Sequence, residues 1–212
     1  MSVNTCVVRS NFASLARFPE LFAGHGVTQV HVDALRDPGD LSPDDLSAIT
    51  PRFSDVAPAL VAMVRGFPAG FDVNVGNFPF CVEPRLAHVT RHDGEPTTLV
   101  AQDPDGSVAP CDKYAVRGDK RAKVSGCASC VLDARCAGVP RPYLDFYGAA
   151  ELVPLSALRL RESAPVAPLF DAHVAPMLEA ALGAWAPPAP FALASVTRRN
   201  GALDVVFAAP SP

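Results

Sequence analysis

Three cysteines fall within ten residues, in Cys127-Ala-Ser-Cys130-Val-Leu-Asp-Ala-Arg-Cys136, and two more, Cys81 and Cys111, stand upstream. A C-x2-C pair turns two sulfurs toward one centre, because the tight turn between them frees backbone N–H groups to hydrogen-bond thiolates. The longer arm to Cys136 reaches another face of the same object, and Gly138 lets the backbone pass close to it. Four thiolates on a four-iron cubane and four donors around one zinc ion both fit this spacing, so the ligands are better specified than the metal. The competing readings are a redox C-x2-C pair and cysteines buried as small apolar residues. Three clustered thiols with two outliers exceed what packing requires. A thiol–disulfide oxidoreductase would want its pair at a helix N-terminus after a strand, whereas here it lies in a loop-rich stretch beside a third thiol.

Other chemistry-bearing residues are more scattered. His88 and His92 have an x3 spacing, but along a strand that is roughly 13 Å at about 3.3 Å per residue, and no C-x2-C precedes them. These two, with His25, His31 and His173, read as solvated or partly buried side chains. Between the cysteines, Lys113, Arg117, Lys120, Arg121 and Lys123 oppose only Asp119, a local excess of +4. Such a run is either a solvated face or a source of positive charge that would raise the potential of a nearby anionic cluster.

The elements that must position these residues divide the chain in three. Over 1–75, the β-branched run 3–8 predicts a strand, and Asn11 offers an N-cap. Leu15, Phe18 and Phe22 share one helical face, with Pro19 weakening it, before Gly24 and Gly26 end the helix and 27–32 forms a second strand. Ser42-Pro43-Asp44-Asp45 starts a further helix, and another follows around Phe53, Val56, Leu60, Val61 and Val64. A strand at 71–75 completes an α/β unit of parallel strands. Three strands cannot close an eight-stranded barrel; they can be the last part of one.

Over 76–154 the periodicity gives way to a loop-rich α+β region, with short strands at 86–90 and 97–101 and a turn at Asp105-Gly106 leading into 107–111. A stretch with so few core residues calls for a staple such as a metal. Over 155–212 a proline-punctuated linker leads to an amphipathic helix at 169–185. Strands at 191–197 and 202–207 then flank the turn Arg198-Arg199-Asn200-Gly201.

Composition bounds the function. Of 212 residues 49% are hydrophobic and 19% charged, which is globular rather than disordered. A net charge of −4 and a pI near 5.7 argue against nucleic acid or an anionic membrane as partner. With no basic-then-apolar leader and no apolar run of spanning length, the expectation is a cytoplasmic protein, where six cysteines favour metal over disulfides.

Asp103-Pro-Asp-Gly-Ser-Val-Ala-Pro-Cys111 leading to C-x2-C-x5-C resembles the auxiliary iron–sulfur region of radical SAM enzymes of the SPASM and twitch type. Asn77-Phe-Pro-Phe-Cys81 with Pro84 resembles the P-x-C ligand loop of a related radical SAM group. There it is followed by C-x2-C-x5-C-x-G, a tyrosine, a glycine and E-L-x-P, matched here by Gly138, Tyr143, Gly148 and Glu151-Leu-Val-Pro154. V-N-T-x-V-V-x-x-N, from Val3 to Asn11, and the following G-V-x-x-V-x-V are similar to the fifth and sixth strands of a radical SAM partial barrel.

The resemblance implies that 1–75 is a partial βα barrel fragment, 76–154 an auxiliary-cluster region and 155–212 a helix-and-hairpin tail. It implies a [4Fe-4S] cluster on Cys127, Cys130 and Cys136, with Cys81 as fourth ligand and Cys111 as the competing candidate. Arg9 and Asn11 would lie near the rim where such barrels contact S-adenosylmethionine or substrate; the local pattern makes Asn11 a helix cap. The C-x3-C-x2-C signature that cleaves S-adenosylmethionine is absent from the 212 residues. That cofactor is therefore implied only with a partner chain supplying the N-terminal half. Gly138-Val-Pro replaces a further cysteine of the SPASM pattern, which implies one cluster. The implied role is substrate binding or electron relay for a small molecule or peptide; the alternative is a non-catalytic structural zinc or iron–sulfur module.

Overall fold

Four strands pair in chain order, all parallel: β1 (Ser2–Val7), β2 (Gln29–Ala34), β3 (Asp72–Gly76) and the two-residue β4 (Thr90–Arg91). They belong to a computed structural model that describes residues 1–36, 39–91, 106, 120–199 and 201–208, and the backbone alone of 98–102 and 108–112. The period of two along each strand sorts the sheet into unlike faces. Val30, Val32, Val73 and Val75 are buried on one, while Asn4, His31 and Asn74 align in register on the other.

The helices cover the apolar face. A 3-10 helix at Phe12–Arg17 runs into α1 (Phe18–Phe22), where Pro19 stands in the first turn and needs no hydrogen-bond donor. The helix expected between Asn11 and Gly24 is thus divided beside Pro19. Helix α2 (Pro43–Ile49) is capped by the Ser42 side chain, which accepts the Asp45 N–H at 3.1 Å. Helix α3 (Phe53–Gly66) presents Phe53, Val56, Leu60, Val61 and Met63 to the sheet, all less than a tenth exposed. At about 1.5–3 kcal/mol per buried large apolar side chain, this face supplies most of what holds the unit together.

The expected strand at 86–90 is instead a 3-10 turn, Pro84–Leu86, before β4. Strands β5 (Thr98–Gln102) and β6 (Val108–Asp112) form an antiparallel pair, as do the short β7 (Arg121–Ala122) and β8 (Val139–Pro140). Helix α4 (Arg141–Tyr147) follows, and α5 (Ala157–Ser163) occupies what reads in sequence as linker. The amphipathic helix of the tail is divided into α6 (Val166–Leu169), a π-helical turn at Phe170–Val174 and α7 (Ala175–Ala184), with Pro168 and Pro176 interrupting its donors. The hairpin of β9 (Ala192–Arg199) and β10 (Ala202–Ala208) ends the described chain.

The result is a mixed α/β protein with a four-stranded parallel sheet. Among the described residues there are two apolar clusters: one between sheet and helices, and a smaller one of Phe80, Ala87, Leu132, Leu155, Leu160, Ala164 and Leu169. No helix among the described residues is long and apolar enough to cross a membrane.

Candidate metal centre

Strand β3 ends at Gly76, and the chain turns at Asn77, whose φ of 59° is left-handed. Asparagine tolerates that conformation better than most residues do. Phe78 and Phe80 then alternate into different clusters. Phe78 meets the Phe53 ring edge-on at 5.3 Å, and Phe80 meets His173 edge-on at 5.2 Å, with Phe78 and Phe80 no more than 2% exposed. The two rings pin the loop on both sides, so half-buried Cys81 lies where both clusters touch.

The second cysteine segment is built from tight turns. Cys127 lies in a 3-10 helix, Ser125–Ser129, and the Cys130 N–H bonds the Cys127 carbonyl at 2.9 Å. A second such turn, Asp133–Arg135, carries the chain to Cys136, and the Val131 N–H bonds the Leu155 carbonyl at 3.0 Å. The C-x2-C pair is therefore not at the N-terminus of an α-helix, the setting in which redox pairs are activated.

The four thiols share one electrostatic neighbourhood. Burial, and then the charges of Cys136, Cys130 and Cys127, push the Cys81 thiol up to about 12. Burial also raises Cys136, against the lowering effects of the Gly138 N–H and the Arg121 guanidinium. All four are half-buried and reduced. The Gly138 N–H donates to Cys136 Sγ at 3.4 Å, the kind of contact that favours a thiolate. Among the described residues, no three His, Cys, Asp or Glu side chains lie where they could hold one metal ion. A zinc ion at about 2.3 Å from each sulfur would need its donors within roughly 4 Å of one another. Cys6 is exposed on β1, opposite Asp33, and is not one of the group. The side chain of Cys111 lies outside the described residues; its backbone, in β6, pairs with Leu99 of β5.

Arg9 and Asn11 sit beyond the carboxyl end of β1. Asn11 donates to the Cys6 carbonyl at 2.8 Å and accepts the Val8 N–H at 2.9 Å, so it closes the turn after the strand and makes no side-chain cap to the following helix. Arg9 donates to Tyr147 Oη at 2.5 Å and to the Ser47 carbonyl at 3.3 Å, tying that turn to α2 and α4.

Sequence reasoning missed four residues at this edge. His31 Nε2 lies 3.4 Å from Asp33 Oδ1, which also accepts Asn77 Nδ2 at 2.6 Å, and Asn77 Oδ1 accepts Arg121 Nη1 at 3.0 Å. The signal was present for His31, because an H-x-D pair on a strand points to one side. A Cβ on Gly76 would stand 2.1 Å from Asp33 Oδ1 and 2.8 Å from His31 Nε2, so any other residue would push these two side chains from their places. Of the basic run, Lys123 pairs with Asp133 at 2.8 Å, while Arg121 is buried and not part of a solvated face; Lys113, Arg117 and Asp119 lie outside the described residues.

The other histidines divide. His173 is 2% exposed and its Nε2 meets the Ala87 carbonyl at 2.6 Å, so it belongs to the core. His25 is exposed and bonds the Ala23 carbonyl; His92 lies outside the described residues.

Tyr143 and Glu151, from the tyrosine and E-L-x-P matches, have a definite task. Helix α3 has no side-chain cap from its own segment. Tyr143 Oη accepts the Phe53 N–H at 2.8 Å and donates to Glu151 Oε1, while Glu151 Oε2 accepts the Ser54 N–H at 3.1 Å. These bonds satisfy orphan donors at the helix start and clasp the cysteine segment to the sheet unit. No family model, curated protein or solved structure matches the chain.

Proposed function

We propose that the chain binds a [4Fe-4S] cluster through Cys81, Cys127, Cys130 and Cys136 and serves as the auxiliary-cluster part of a radical SAM-like enzyme, in the cytoplasm. The observation that carries this reading is the convergence of Cys81 with the C-x2-C-x5-C thiols, from segments more than forty residues apart, into one half-buried neighbourhood. A cubane separates its ligand sulfurs more widely than one ion does. All four proposed donors are thiols, the set that an iron–sulfur cubane takes.

The order of the sheet supports a partial βα barrel over 1–75, since strands of a barrel neighbour one another in sequence. A doubly wound sheet reverses its order at a switch point. Cys81 follows the carboxyl end of β3, the edge at which parallel α/β folds carry their chemistry. Asn4, His31 and Asn74 give that sheet a polar face suited to a polar small molecule or peptide.

When bound, an auxiliary cluster supplies one-electron exchange or an iron to which substrate attaches. The chain's own part is to hold the thiols, to give Cys136 the Gly138 N–H, and to keep Arg121 beside it. Cleavage of S-adenosylmethionine requires a C-x3-C-x2-C motif, which these 212 residues do not contain. The test is anaerobic reconstitution with iron and sulfide, followed by absorbance and metal analysis of wild type and Cys130→Ala. About four irons per chain, lost in the variant, is the expected result; a colourless protein with one zinc overturns it.

A further inference from the structure

Arg121 is 9% exposed, and its hydrogen bonds go to neutral oxygens: Asn77 Oδ1 at 3.0 Å and the Gly138 carbonyl. Its Nε has no partner. Among the described residues no carboxylate contacts it, and a buried guanidinium is costly unless negative charge lies close by. Two sources are within reach. One is Cys136, a thiolate once it ligates the cluster, whose Sγ accepts the N–H of the same Gly138 whose carbonyl accepts from Arg121. The other is Asp33, one hydrogen bond beyond Asn77.

Gly138 is what makes this peptide a bridge. Its φ is +80°, and a Cβ there would stand 2.2 Å from the Ala122 carbonyl oxygen, so any other residue would break the close β7–β8 approach that holds Arg121.

We infer that Arg121 is the internal counter-charge of the cysteine site, and that the Asn77–Asp33–His31 link lets charge at the carboxyl rim of the sheet set the cluster's electron affinity. This rests on the ligand assignment above. A cluster held by four thiolates gains negative charge on reduction, so a buried cation beside Cys136 favours the reduced form, and Asp33 opposes it. A negatively charged substrate arriving at His31 would act in the same sense as Asp33. Arg121 is therefore a positioning residue for charge and not a ligand.

The experiment is a spectroelectrochemical titration, with iron analysis, of reconstituted wild type, Arg121→Gln, Arg121→Lys and Asp33→Asn. Arg121→Gln is expected to lower the midpoint potential by about 59 mV, a tenfold change in a one-electron equilibrium. Arg121→Lys should recover part of it, and Asp33→Asn should move it upward. Full iron content with unmoved potentials in both Arg121→Gln and Asp33→Asn overturns the inference and leaves the ligand assignment standing. Wild type without iron overturns both. If Arg121→Gln does not fold, the isosteric and partly exposed Asp33 position decides: an upward shift supports the link, and an unmoved potential overturns it.

Discussion

Glu151 accepts the N–H of Ser54 across 97 residues of sequence, and Tyr143, donating to the same carboxylate, accepts the N–H of Phe53. A start of helix that its own segment leaves uncapped is finished by the segment that carries the cysteines. Tyr143→Phe leaves the buried Phe53 N–H without an acceptor and should cost about 1–3 kcal/mol. Glu151→Ala should cost about 1 kcal/mol through the lost cap. Thermal unfolding at neutral pH measures both, and unchanged midpoints would remove the clasp.

Cys81 and Cys111 compete as fourth ligand in the proposed cluster site, and the reading proposed above takes Cys81, whose thiol senses the charges of Cys136, Cys130 and Cys127. Cys81→Ala should lose iron and the visible chromophore as Cys130→Ala does, while Cys111→Ala and Cys6→Ala retain them. The Cys81 thiol, held up to about 12 by burial and its neighbours, must give up its proton when metal binds. Loading should therefore tighten as pH rises, and metal competition between pH 6 and 8 follows that slope.

Burial lowers His88 below its ordinary value, with a backbone hydrogen bond at Arg85 opposing it and the charge of His173 adding to it. Above about pH 6.5, the usual histidine value, folded and unfolded chains are both neutral there and nothing is lost. As pH falls through that value the unfolded chain takes up a proton that the folded one resists, so stability declines. Urea titrations from pH 8 to 5 should show the decline in wild type and a flatter profile in His88→Gln.

Phe80 fixes Cys81 from the side of the smaller apolar cluster. Phe80→Ala should cost about 3–5 kcal/mol and reduce the iron retained per chain, because the loop loses one of its two anchors. Phe80→Leu, which keeps most of the volume, should retain iron. Equal iron content in wild type and Phe80→Ala would show that the loop needs no such anchor.

Gly138→Ala places a Cβ against the Ala122 carbonyl at a left-handed φ. Strain of that kind is on the order of 1–3 kcal/mol, so the melting temperature should fall. If the peptide is the bridge described above, the variant should also shift the potential in the direction of Arg121→Gln.

What the sequence determined by itself was local. Ser42 capping α2, the apolar stripe of α3, the hairpin of β9 and β10 and the paired turns of C-x2-C-x5-C all depend on residues within a few positions of each other. Such patterns survive in a linear reading because 3.6- and 2-residue periods, caps and tight turns are set by neighbouring backbone geometry. Where local signals competed, the reading failed: α5 lay hidden in a proline-rich stretch, and Asn11 bonded backward to β1 instead of forward to its helix.

Only the tertiary structure decided that Cys81 joins the distant thiols, that Arg121 leaves the basic run for the interior, and that Tyr143 and Glu151 finish α3. Each of these is a contact across more than forty residues, made because two apolar clusters must close around Phe78 and Phe80. No period or spacing records such closure. It follows from how buried faces meet, and the polar groups carried with them must then find partners.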